Sequence, residues 1–233
     1  MPVAPGGSTA SVVREAFAGI AHTLRELRTM PNAWRFLLAF VLYNDAINTI
    51  IRMAALYGSQ LGLQQSSLIG AILLVQFIGI PFAFAFGWIA GKVGAKRAVL
   101  GALCMYGVIS AIAYGVRTER DFWILAVLVA TVQGGAQALS RSLFASLVPA
   151  TRSGEFFGLF SVFNRFGGIL GPLAMALVTS VTGSSRLGIL SVVVFFAIGG
   201  FLLSRVNVEA GRRQAIALDE AERAGAGIAA PGS

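Results

Sequence analysis

Tyr43-Asn44-Asp45-Ala46-Ile47-Asn48-Thr49-Ile50-Ile51-Arg52 lies inside an apolar segment that runs from about Trp34 to Tyr57. The stretch is too polar for a segment that only has to sit in lipid. Asp45 and Arg52 are two helical turns apart, so a helix carries them on one face with Asn48 between them. A charge at bilayer depth costs about 2.5–3.5 kcal/mol on insertion scales, and such residues face a bundle interior or a wet cavity. The segment therefore reads as a membrane helix with a polar inner face.

The composition agrees. Of the 233 residues, 56% are hydrophobic and 12% charged, against about 25% charged in a soluble domain. Mean hydropathy is +0.78. The net charge of +8 does not point to nucleic acid, because the basic residues fall in short gaps between apolar runs and form no recognition motif. One cysteine, Cys104, and one histidine, His22, make neither an intrachain disulfide nor a metal cluster. No cofactor is expected.

Around the first span the chain divides as follows. Residues 1–10, rich in Gly, Pro, Ser and Ala, read as disordered. Val13, Phe17, Ile20, Leu24 and Leu27 recur at helical spacing, with Arg14, Glu15, His22, Arg25, Glu26 and Arg28 on the other face. This predicts an amphipathic helix over 11–30, within a cytoplasmic segment 1–33, lying on the membrane or on the bundle. A solvated connector is the competing reading. Met1–Arg28 lacks the short apolar core and cleavage site of a signal peptide, so the first apolar span is expected to act as its own targeting signal.

Six apolar spans fill residues 34–206, at about 34–57, 67–91, 97–116, 122–147, 155–182 and 186–205. Each approaches the ~20 residues that cross the hydrocarbon core. A cytoplasmic tail, 207–233, follows; Arg212 to Arg223 suits a short helix and the end reads as disordered. Arg14, Arg25, Arg28, Arg35, Lys92, Lys96, Arg97, Arg141, Arg152, Arg205, Arg212, Arg213 and Arg223 fall on one side of the alternating spans, against Arg117, Arg120 and Arg186 on the other. The positive-inside rule puts both termini in the cytoplasm. The expected fold is an all-α membrane protein of six transmembrane helices.

At ~1.5 Å rise per residue, Asp45, Gln76, Gln133, Asn164 and Arg165 all fall near the bilayer midplane. Spans 3 and 6 hold no amide or charge of this kind. Spans 1, 2, 4 and 5 are therefore expected to surround a polar space while 3 and 6 face lipid, which is how secondary transporters build a substrate site. Asp45 and Arg165 could instead form a fixed ion pair. Gln76, Gln133 and Gln137 could be interhelical hydrogen bonds, and Arg52 could snorkel to the outer interface. Gly87-Trp88-Ile89-Ala90-Gly91 and Gly167-Gly168-Ile169-Leu170-Gly171 contain GxxxG, read as close helix packing. Pro81 and Pro172 are expected to kink spans 2 and 5.

Gly87-Trp88-Ile89-Ala90-Gly91-Lys92-Val93-Gly94-Ala95-Lys96-Arg97 resembles the loop signature of the major facilitator superfamily, with Gly91 in place of its usual Asp. Gly87, Gly91, Lys92, Gly94, Lys96 and Arg97 are then loop or gating positions. Thr23–Arg28, Phe36–Phe40, Tyr43-Asn44-Asp45, Ser140-Arg141-Ser142-Leu143-Phe144 and Glu155-Phe156-Phe157-Gly158 through Gly171-Pro172 resemble its unknown-major-facilitator branch, related to fungal autophagy-linked vacuolar amino-acid effluxers. The resemblance covers about residues 20–206. It implies the second, C-terminal six-helix half of a twelve-helix permease, a half bundle whose partner is a missing N-terminal half or a second copy of the chain.

The leading expectation is a secondary solute transporter, or half of one, working by alternating access in the cell membrane, with amino-acid-like solutes exported. Asn44, Asp45, Asn48, Arg52, Gln76, Gln133, Gln137, Asn164 and Arg165 would bind substrate or carry coupling charge. The alternative is a non-transporting truncated or scaffold module. An enzyme is not expected: the lone His22 lies outside the bundle, and Gly91-Lys92-Val93 fails the phosphate-loop pattern.

Overall fold

In lipid every backbone polar group needs an internal partner, so apolar runs of this length fold as helices. A computed structural model describes residues 9–60, 62–166 and 168–228. In chain order its helices are α1 Thr9–Thr29, α2 Pro31–Gln60, α3 Gln65–Val93, α4 Ala95–Ala113, α5 Glu119–Ala145, α6 Ser153–Phe166, α7 Leu170–Thr182, α8 Ser185–Ser204 and α9 Val208–Ile228.

Local chemistry sets the boundaries. Pro31 opens α2, where a missing N–H costs nothing. Gly94, at φ +90°, turns the chain between α3 and α4, and its N–H bonds the Ala90 carbonyl. Such a φ suits glycine alone. Thr118 and Asp121 cap α5 reciprocally.

Among the described residues, four stretches are long and apolar enough to cross a membrane: α3, α4, α5 and Ser153–Thr182, which holds α6 and α7. The end of α8 and α9 make one further candidate, bent by 62°. The fifth expected span, 155–182, falls within Ser153–Thr182, where the helix is interrupted between α6 and α7. Helix starts at Thr9, inside the stretch expected to be disordered, and residues 1–8 lie outside the described part. In the tail, α9 runs well beyond Arg212–Arg223, while residues 229–233 lie outside the described part.

The core lies where α2, α4, α5, α6 and α8 meet. Phe40 stacks on Phe160 at 4.2 Å between ring centroids, and Phe144 on Phe160 at 4.8 Å. Tyr106 of α4 stacks on Phe196 of α8 at 5.2 Å. Both α4 and α8 therefore bury one face and expose the other; Met105, Val108, Val194 and Phe201 point outward. The most extensive helix contact is α3 on α5. Its close approach is at Gly134, where a Cβ would come 2.8 Å from the Gly79 carbonyl oxygen, and at Gly135, which has no room for one beside Phe86. The expected packing pair Gly87 and Gly91 is exposed, with nothing near either. Helix α3 runs unbroken through Pro81.

Candidate functional site at the break in the fifth span

The polar face of α2 meets the junction of α6 and α7. The chain leaves the helix there at Gly168 and Ile169 and resumes it at Leu170; Gly167 lies outside the described residues. A new helix start leaves its first N–H groups without intrahelical partners and carries partial positive charge. Ile169, at the N-cap position of α7, supplies no side-chain cap. Asp45 supplies one from α2: its Oδ2 accepts a hydrogen bond from the Gly171 N–H. The amides of Ile169 and Leu170 also bear on this carboxylate, and Arg52 is the cation acting on it. Asp45 is 0% exposed, and its Oδ1 has no hydrogen-bond partner among the described residues.

Two turns along, the Arg52 guanidinium donates to the Gly168 carbonyl at 3.0 Å. One arginine and one aspartate thus hold the two sides of the break, each by the backbone group its charge suits. Thr49, between them, is 0% exposed and donates to the Asp45 carbonyl at 2.7 Å. Gly171 packs so tightly here that a Cβ would overlap Thr49 Oγ1. Asn44 Nδ2 donates to Asn164 Oδ1 at 2.9 Å, tying α2 to α6. Deeper in the core, Ser140 Oγ donates to the Ala136 carbonyl at 2.6 Å, which leaves the Tyr43 hydroxyl as donor to Ser140 at 2.7 Å.

This geometry corrects several expectations. Asp45 faces α7 and Arg52, whereas Arg165 is exposed at the end of α6, so the two do not sit as a pair. The Arg52 side chain is exposed, yet its guanidinium is engaged by Gly168. Pro172 does not interrupt the helix. It occupies the third position of α7, within the first turn, which tolerates proline because its N–H would lack a partner anyway. The helix is interrupted before Pro172, at Gly168 and Ile169.

The amides form a second group. Gln76, Gln133 and Gln137 line a groove of about 310 Å³ between α3 and α5, floored by Gly79 and Gly134. Gln76 and Gln133 also border an apolar cavity of about 100 Å³ reaching Ile50, Leu68 and Phe122. Gln133 Oε1 is buried without a hydrogen-bond partner among the described residues. Asn48 and Asn164 are half-buried. At the turn after α3, Lys92 Nζ stands 3.6 Å over the Trp88 ring, Lys96 bonds the carbonyls of Ser204 and Val206, and Arg97 is exposed.

Sequence reasoning did not anticipate a third cluster at the end of the bundle. Arg152, in the α5–α6 loop, bonds Glu26 of α1 and Glu155 at 2.7 Å, and stands 3.7 Å from Glu222 of α9. Asp219 of α9 accepts from the Ala150 N–H at 2.9 Å and the Thr151 N–H at 3.0 Å. The acidic residues of α9 were the available signal, but nothing in the sequence pairs them with this loop.

A family model described as vacuole effluxer Atg22 like matches residues 2–216. The MFS-type transporter YxiO of Bacillus subtilis is 39% identical over 198 residues, covering 85% of this chain and 46% of the relative. Autophagy-related protein 22 of Cryptococcus neoformans is 28% identical over 245 residues, covering 94% and 43%. Autophagy-related protein 22 of Saccharomyces cerevisiae strain S288c is 25% identical over 221 residues, covering 88% and 41%. The chain spans about half the length of the curated relatives it matches. With a family match across nearly all the described helices, the chain belongs to the Atg22-like branch of the major facilitator transporters.

Proposed function

We propose that this chain is the second six-helix half of a secondary solute transporter working by alternating access. The observation that carries the reading is Arg165, exposed within the apolar stretch Ser153–Thr182. A cation at that depth cannot stand in lipid and needs a water-filled path or a protein partner. On α3, which packs on α5, Gln76 is exposed too, and Phe77, Phe84 and Trp88 further along the helix also point outward. A first half, or a second copy of the chain, would cover this face and leave a path between the two.

In this reading α2, α3, α4, α5, the α6–α7 pair and α8 are the six crossings. Both termini lie on the cytoplasmic side of the cell membrane, as the basic residues at that end favour. The meeting of α1, α9 and the α5–α6 loop around Arg152 is consistent with both ends of the chain sharing one side. The solute is amino-acid-like: Arg165 suits its carboxylate, and the amide groove supplies neutral donors and acceptors. Asp45 and Arg52 hold the break in the fifth span, where α7 can swing relative to α6 as access alternates.

The test is uptake and efflux of a labelled amino-acid mixture by proteoliposomes holding the chain alone, the chain with a first half, and both with Arg165→Gln. Transport that needs the covering half and falls at least ten-fold with Arg165→Gln supports the reading. Transport indifferent to Arg165 removes it, and no transport under any pairing leaves the scaffold alternative.

A further inference from the structure

We infer that the groove between the α3–α4 turn and the α8–α9 turn is a binding site for the phosphate of an anionic lipid headgroup. The inference needs only that the helices lie in a membrane and is independent of the transport reading. The groove encloses about 880 Å³ and is lined by Lys96, Arg97, Arg205 and Arg212, with Glu209 the carboxylate among them. Its walls are the end of α3, the start of α4, the end of α5, the end of α8 and the start of α9. The meeting of these five helix ends places it at the membrane boundary, the depth of lipid phosphates.

The cations are arranged for an anion that arrives from the membrane side. Lys96 gives two of its three N–H donors to the Ser204 and Val206 carbonyls, at 2.8 and 2.7 Å, which fixes the ammonium and leaves one donor free. Arg97 and Arg212 are exposed. Arg205 stacks 4.8 Å over the ring of Phe201, one turn further into the apolar part of α8. Phe201 is itself 57% exposed. A headgroup held by the cations would lay its acyl chains along Phe201, which lies beside the groove beneath Arg205, so charge stands above and apolar surface below. Basic pockets between membrane helices recognise lipid headgroups in this way. A free phosphate would have no use for Phe201, which favours the lipid.

The experiment measures binding of fluorescent phosphatidylglycerol to the purified full chain in a neutral detergent. Each cation near a membrane surface contributes about a five-fold change in affinity. Arg97→Gln/Arg212→Gln, which leaves the Lys96 bonds intact, is expected to weaken binding roughly 20-fold. Glu209→Gln is expected to tighten it about five-fold, a gain that misfolding cannot produce. Arg117→Gln/Arg120→Gln, at the opposite ends of the helices, should change nothing. Equal binding of phosphatidylcholine, an equal loss in the Arg117/Arg120 pair, or no gain with Glu209→Gln would overturn the site. Displacement by millimolar inorganic phosphate would overturn the lipid as its occupant.

Discussion

The Asp45 carboxylate caps α7 across a chain break, accepting the Gly171 N–H from a different helix 126 residues away. An aspartate at a helix N-terminus is an ordinary cap. Here the cap comes from a packed neighbour, because Ile169 at the local position has no side chain able to do it. The orientation of α7 therefore depends on α2. Asp45→Ala leaves the Gly171 amide buried without a partner, at a cost of about 1–3 kcal/mol. Asp45→Asn keeps an acceptor oxygen and should recover most of that. Thermal unfolding of the purified protein in detergent would show the order wild type, Asn, Ala; equal loss in both variants would mean that the charge, not the acceptor, holds the helix.

Gly171 is the other side of that contact. Any Cβ there overlaps Thr49 Oγ1 and comes within 3.0 Å of Asp45 Oδ2. Gly171→Ala should destabilise by about 1–3 kcal/mol, the usual range for overpacking. Thr49→Ala removes the atom in the way. The double variant Gly171→Ala/Thr49→Ala should accordingly lose less than the sum of the two single changes, a non-additivity that a double-mutant cycle reads directly. Strict additivity would place the strain of Gly171→Ala elsewhere.

At the end of the bundle the α5–α6 loop is held by α9 through Asp219. The Thr151 hydroxyl, then the Thr151 and Ala150 amides, hold the Asp219 carboxyl below the usual aspartate range. A depressed folded-state pKa means stabilisation that is complete above the ordinary carboxyl value of about 3.9 and lost as pH falls through the lower folded value. The α9 contact should therefore be indifferent to pH near neutrality and loosen only in acid. A nitroxide on Ile216→Cys, with Cys104→Ser, should gain mobility only as the pH falls below the ordinary carboxyl value of about 3.9. In Asp219→Asn the label should be mobile already at neutral pH, with no acid step. An acid step that survives Asp219→Asn would assign it to another carboxylate at this corner, Glu222 being the nearest in place.

Much of this arrangement could be read from the residues. The apolar spans gave the helices, and the two-turn spacing of Asp45 and Arg52 gave their shared face. The partners of that face could not be read, because they are backbone groups. Gly168 and Gly171 offer a carbonyl and an N–H with no side chain to betray them, and a sequence in which charges seek opposite charges pointed to Arg165 instead. The kink expected at Pro172 falls on a first-turn position of α7, and the helix is interrupted before it, at Gly168 and Ile169. The same limitation assigned close packing to Gly87 and Gly91, when the approach of α3 to α5 falls at Gly79 and Gly134. GxxxG spacing says that a helix can approach another, not which face is buried. The Arg152 cluster joins Glu26 and Glu222 from opposite ends of the chain, a relation that no local pattern carries.

Arg165 separates path from scaffold. Its side chain is exposed, and no hydrogen bond or ion pair involving it is seen among the described residues. Replacement by Gln should alter unfolding by no more than about 0.5 kcal/mol, as for other surface changes. Asp45, by contrast, is buried in the contact that orients α7, so its removal lowers stability and function together. If solute passes along the face that holds Arg165, Arg165→Gln should reduce transport at least ten-fold while the unfolding temperature stays near that of the wild type. Arg165→Lys keeps the charge but not the planar fork that grips a carboxylate with two bonds. It should raise the half-saturation concentration more than it lowers the maximal rate if the arginine binds the solute carboxylate. Loss of rate without change in half-saturation would instead make Arg165 part of the moving contact between the two halves. A variant as active as the wild type would take it off the path altogether.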